Sequence, residues 1–310
     1  MTLRHVGFTP VPPGARPGFD HADTFVGDGG SRLYVAHTGA DRVDVLDCKS
    51  GGYLRALPDL PGVAGVLIGS GQDLLLTSDR AAARVSIFRA SDEMLLAQVA
   101  VGPRPNGLAF DGRNRNLFSF NLGEPAGTNC TASVVSVNAG RVVATIPLPG
   151  RPRWAVFDDR TRSVYANIAD PPVIAVIDAD ALAIRRTIPV PAAGPHGLAL
   201  VPQNGAASSL WCAADAGKLA VIDPTSGEAQ AALPLPGTPD VVMYDRDLAR
   251  LYVAVGSPGT VSVIDTRRQR HLQTVATEEG AHTIGWDPAS RRLFVFEPRS
   301  CGVAIFEDVA

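Results

Sequence analysis

LYVAHTGADRVDVLD, Leu33 to Asp47, decides the fold. It is a short apolar run, a polar break, and a second apolar run that ends in Asp. The same unit returns as VYANIADPPVIAVID (Val164 to Asp178), LWCAADAGKLAVID (Leu210 to Asp223) and LYVAVGSPGTVSVID (Leu251 to Asp265). Related runs begin at Leu74, Leu117 and Leu293, so the unit recurs seven times, roughly every 43 residues. Runs of five or so Val, Ile, Leu and Tyr bounded by turn residues are strands. A period of this length built from strands is the sequence mark of a β-propeller. The expectation is one all-β domain over residues 1–310: a seven-bladed β-propeller of four-stranded antiparallel blades, strands a to d from axis to rim.

Strand b is expected at Leu33–His37, Leu74–Ser78, Leu117–Asn121, Val164–Ile168, Leu210–Ala214, Leu251–Val255 and Leu293–Glu297. Strand c follows, with Val134–Asn138 its expected position in blade 3. Both are nearly continuous apolar runs, as expected where neighbouring blades cover both faces of a sheet. Strand a follows a recurring entry, as in RPNGLAFD (Arg104 to Asp111), RPRWAVFD (Arg151 to Asp158) and GPHGLALV (Gly194 to Val201), with a looser copy, GFDHADTF (Gly18 to Phe25), in blade 1. Only Asp308, Val309 and Ala310 follow the last strand c, whereas a spare strand, Leu3 to Val11, precedes the first blade. The last blade is therefore expected to borrow its outer strand from the N-terminus, which closes the ring and hides a strand edge.

The b–c units and the P-x-G-L-A entries (Pro105 to Ala109, Pro195 to Ala199) resemble the YVTN-type, YncE-like group of seven-bladed propellers, over essentially the whole chain. The resemblance implies the fold and says little of activity, because propellers host unrelated functions.

Composition narrows the function by exclusion. Net charge is −3, few of the 28 basic residues are Lys, and no basic block exists, which speaks against nucleic acid as a partner. The longest apolar stretch, Gly62 to Gly69, is too short to span a membrane, and MTLRHVGFTPVPPG lacks the apolar core of a secretory signal. The four cysteines, Cys48, Cys130, Cys212 and Cys301, have no C-x-x-C spacing and read as free thiols of a cytoplasmic protein. No G-x-S-x-G elbow, H-E-x-x-H pair, P-loop, Rossmann fingerprint or haem-attachment motif occurs.

In a propeller the d–a and b–c loops share one face. Mapped onto it, strand-a entries contribute Asp20, His21, Asn106, Arg153, His196, Asp240 and His282, and the b–c side contributes His37, Arg80, Asp215 and Arg299. Four of the six histidines fall on this face. The candidate site is thus a polar mouth for a small polar or anionic molecule. Its sharper form is a metal-assisted hydrolase or lyase, with His21, His196 and His282 holding one divalent ion. Asp20 or Asp240 would then orient or act as base, and Arg153 would fix the substrate. Arg80, Asn106, His37 and Arg299 would contact it. The alternative is a non-catalytic scaffold whose loop face or rim binds a protein. The blade-3 loop LGEPAGTNCT (Leu122 to Thr131) is long enough to cover the mouth. The Asp that closes strand c (Asp47, Asp178, Asp223, Asp265) precedes a turn and is expected to bond backbone N–H groups there.

Overall fold

The computed structural model describes residues 2–69, 71–203 and 206–309. Seven separate four-stranded antiparallel sheets are arranged as a ring. Their inner strands are Ala22–Gly27, Val63–Gly69, Pro105–Asp111, Pro152–Asp158, Pro195–Gln203, Thr238–Asp245 and Thr283–Asp287 for blades 1 to 7. Each touches the inner strand of the next blade, and blade 7 touches blade 1. Leu3–Pro10 pairs with Gly302–Asp308, from Leu3↔Asp308 to Pro10↔Gly302, and supplies the outer strand of the last blade. The ring is therefore closed by backbone hydrogen bonds as well as by packing.

The core lies between blades. Leu33, Tyr34, Val35 and Ala36 of strand b in blade 1 are fully buried, as are Val43, Val45 and Leu46 of strand c. Blade 6 meets blade 7 through Val241, Tyr252, Val261 and Val263 against Ile284, Trp286, Leu293 and Val295. The Tyr252 and Trp286 rings stack with centroids 4.6 Å apart. Their polar ends are satisfied: Tyr252 donates to Asp308 at 2.7 Å and Trp286 donates to Asp245 at 2.8 Å. Burying one such side chain contributes about 1.5–3 kcal/mol, so fourteen b and c strands buried on both faces carry the fold. The outer strands alternate instead; Arg141–Pro147 exposes every second residue to solvent.

Two local expectations shift. Strand c of blade 3 runs Thr131–Ser136, earlier than the apolar pattern placed it. Polar residues begin it because they are used: Asn121 donates to the Thr131 hydroxyl at 3.0 Å and to the Ser133 hydroxyl at 2.9 Å. In blade 1 the inner strand starts at Ala22, later than the Gly18–Phe25 copy suggested. The chain from Val11 to His21 instead runs across the b–c side of blades 7 and 1, with Val11 donating to Cys301 O and Arg16 to Gly39 O.

The Asp residues that close strand c bond backbone N–H groups of the following turn: Asp47 with Ser50, Asp178 with Asp180 and Ala181, Asp223 with Thr225, and Asp265 with Arg267 and Arg268. These bonds hold Asp178 down at about 2, led by the Ala181 N–H, with Arg185 adding to them.

Candidate functional site

A shared backbone irregularity builds the mouth. In blades 3 to 6 the ladder between strands a and b breaks just after the entry proline, at Pro105, Pro152, Pro195 and Pro239. The residue after each proline drops out of the pairing, and a β-bulge of this kind re-aims its side chain. Those residues are Asn106, Arg153, His196 and Asp240, and all four line one cavity at the axis. His282 joins them from blade 7, and Asp20 and His21 from blade 1. Blade 2 has Ala64 at this position. Its contribution comes from the short 3₁₀ turn Arg80–Ala82 after strand b, from which Arg80 reaches in.

Glycine after the bulge residue lets neighbouring entries touch. A Cβ on Gly107 would lie 2.4 Å from Arg153 O, and one on Gly197 would lie 2.1 Å from Asp240 O. Blade 4 has Trp154 at the equivalent place. Its ring meets His21 from blade 1 across the axis, with centroids 4.1 Å apart. This contact floors the mouth cavity, of about 190 Å³, because Trp154 and His21 also line a wider chamber of about 760 Å³. That second chamber is mostly apolar, with Val66, Ile68, Leu108, Phe110 and Val156 in its wall.

The charges of the mouth fall into two halves. On blades 5 and 6, His196 lies between two carboxylates: Nδ1 is 2.8 Å from Asp215 and Nε2 is 3.1 Å from Asp240. Burial disfavours its charge, but Asp240 and Asp215 more than offset that and push His196 up to about 9. Burial likewise works against ionised Asp240, yet His196 first, then His282 and His21, hold it down at about 2. His196 is therefore an imidazolium at neutral pH, and Arg153 Nη1, 3.3 Å from its Nε2, is a crowded cationic neighbour. Arg153 also lies 3.7 Å from Asp215. His21 is only 7 % exposed, and burial lowers its pKa. His282 donates from Nδ1 to Gly280 O at 2.8 Å.

The other half is arginine. Arg80 pairs with Asp20 at 2.9 Å and bonds Asn106. Arg104 and Arg151, from the entries of blades 3 and 4, line the same cavity, and neither guanidinium has an ion pair or hydrogen-bond partner among the described residues. The Arg151 pKa is lowered, first by desolvation and then by Arg153, Arg104 and Arg80, against a smaller opposing pull from Asp215. Three of the four guanidiniums, Arg80, Arg151 and Arg153, hold a buried Nε–H without a partner. A buried unsatisfied donor costs about 1–3 kcal/mol, and more when charged.

Eight expected residues thus converge: Asp20, His21, Arg80, Asn106, Arg153, His196, Asp240 and His282. Two lie elsewhere. His37 is fully buried beside blade 1, its Nδ1 2.7 Å from Asp44 and its ring against Phe19. Arg299 is mostly exposed and pairs with Glu279 at 2.8 Å, beside a shallower depression that shares His196, Asp240 and His282 with the mouth. Arg104 and Arg151 were not expected as site residues. They stand in the R-P entries of two consecutive blades where other repeats have Gly or Thr, and that departure from the repeat was the available signal.

The expected metal trio, His21, His196 and His282, lines the mouth together. Both ring nitrogens of His196 face carboxylates, Asp215 and Asp240. Among the described residues no group of three or more His, Cys, Asp or Glu is arranged to hold a metal ion. Leu122 of the blade-3 loop reaches the cavity wall, and Cys130 from the same loop is buried, donating to Leu122 O at 3.2 Å. Burial raises the Cys130 thiol, which disfavours its thiolate.

Fold and geometry define the class: a seven-bladed β-propeller with a guanidinium-lined cavity at one end of its axis. No protein-family profile and no curated protein matches the sequence. Among solved structures, a chain of Kuenenia stuttgartiensis hydrazine synthase is similar at a TM-score of 0.81 and 14 % identity, over 95 % of this chain and 96 % of that one. At that identity the likeness is one of fold. No helix among the described residues is long and apolar enough to cross a membrane.

Proposed function

We propose that this propeller binds a small anionic molecule at the mouth of its axial channel, against Arg80, Arg104, Arg151 and Arg153. One observation carries the reading. Arg104 and Arg151 line the cavity with no ion pair or hydrogen-bond partner among the described residues, and Asp215, the carboxylate that acts on Arg151, is already engaged by His196. A folded protein leaves few buried donors unmet, and a planar fork of N–H groups matches an oxyanion. An anion seated there would meet the charges of Arg104 and Arg151 and offset the desolvation first, and then the repulsion from Arg153, Arg104 and Arg80, that lower the Arg151 pKa. Asp215, 3.7 Å away, holds Arg153 from the opposite side, and the Trp154 ring, tilted against His21, supplies a floor that keeps the ligand at one end of the channel. Membership of the YVTN-type, YncE-like group belongs to the same proposal, supported by the repeated b–c units and the P-x-G-L-A entries.

The test is calorimetric titration with sulfate at constant ionic strength. The wild type is expected to bind at one site per chain, Arg151→Ala to lose at least tenfold in affinity, and Arg89→Ala, a surface arginine paired with Asp92, to match the wild type. Equal binding by all three proteins would overturn the reading, as would failure of both sulfate and succinate to bind the wild type.

A further inference from the structure

The balance of charge inside the cavity identifies the class of anion, and this step rests on the anion-binding reading above. Arg80 is met by Asp20. Arg153 and the His196 imidazolium stand against Asp215 and Asp240. That leaves two guanidiniums, Arg104 and Arg151, with no ion pair among the described residues, in a chain whose overall charge is −3. A single negative charge would leave one of them unmet. The space is also bounded. A cavity of about 190 Å³, at about 30 Å³ per water molecule, holds roughly six water-sized groups, which suits a tetrahedral oxyanion on a short stem or a compact dicarboxylate. The wall suits such a group too, because Arg104 and Arg151 come from equivalent positions of adjacent blades and enter the cavity side by side with Arg153.

We propose that the mouth cavity selects a dianionic ligand, a phosphate-type group or a compact dicarboxylate, through the unpaired guanidiniums of Arg104 and Arg151. Two positive charges at one cavity, Arg151 half-buried and Arg104 exposed beside it, favour two negative charges over one, and forked N–H groups match their geometry.

The test compares inorganic phosphate, sulfate, succinate and acetate by titration calorimetry at one pH and one ionic strength. At least one of the three dianions is expected to bind ten- to a hundredfold tighter than acetate. Phosphate and sulfate ahead of succinate would assign the site to a tetrahedral group, and succinate ahead of both would assign it to a dicarboxylate. In Arg104→Ala and Arg151→Ala the preference over acetate should shrink at least tenfold, while the wild-type melting temperature without ligand is retained or exceeded, since each substitution removes an unpaired charge. Acetate binding as tightly as every dianion would overturn the dianion assignment and leave the anion site standing. Failure of all four to bind would overturn both.

Discussion

Raising the pH should unlock the His196 cluster. His196 rises from 6.5 to about 9 in the folded protein, because Asp240 and Asp215 outweigh the burial that opposes its charge. A folded pKa above the unfolded one means that the folded state holds the proton more tightly. The stability so gained is complete below pH ~6.5 and is lost as the pH climbs through about 9. The gap between those two values, at ~1.4 kcal/mol per pH unit, amounts to about 3 kcal/mol. Depressed Asp240 records the same interaction from the other partner, so it is not counted again. The assay is urea unfolding at pH 6.5 and pH 9.5, for the wild type and for His196→Gln. Buried thiols such as Cys48 and Cys212 also resist ionisation in the folded state, and this destabilises both proteins alike at high pH. The difference between the two proteins isolates His196. The wild type should lose about 3 kcal/mol more than the variant across that interval. Equal losses, or a larger loss in the variant, would refute the imidazolium assignment and with it the reason Asp215 and Asp240 are unavailable to neutralise Arg104 and Arg151.

Two structural predictions accompany it. Deleting residues 2–10 removes the strand paired with Gly302–Asp308; the exposed edge should lower the free energy of unfolding by several kcal/mol and produce concentration-dependent oligomers in size-exclusion chromatography. Gly197→Ala places a Cβ against the Asp240 carbonyl, and overpacking of backbone on backbone should cost about 1–3 kcal/mol in urea unfolding, together with a loss of sulfate affinity as the blade-5 and blade-6 entries separate.

The propeller was legible because its repeat is carried by strands b and c, whose apolar runs answer to burial on both faces, a demand that every blade shares. Ring closure was legible from a strand surplus at one end and a deficit at the other. Much of the site was legible too, since comparing strand-a entries across repeats pointed to Asn106, Arg153, His196, Asp240 and His282. What escaped was governed by side-chain reach and by pairing. His37 ends a b strand as Arg80 follows one, yet His37 turns inward onto Asp44 while Arg80 crosses to Asp20 and Asn106. Residue spacing carries no record of that choice. Arg104 precedes its entry proline with a positive φ of 56°, and Arg151 occupies the matching place in blade 4; each lines the cavity from the first residue of a strand-a entry, which the pattern read as scaffold. Histidine suggested a metal; the pairing that spacing could not show is that of His196 with Asp215 and Asp240, which favours its protonated form.

The central claim is that an anion sits against Arg104 and Arg151, and it is tested most directly by a crystal structure with selenate, located by its anomalous scattering at the selenium edge. The expected result is one anomalous peak in the mouth cavity above Trp154, with selenate oxygens within hydrogen-bond distance of the Arg104 and Arg151 guanidiniums. Well-ordered, partnerless guanidiniums and no peak in the cavity, at selenate concentrations that label other surface arginines, would contradict it.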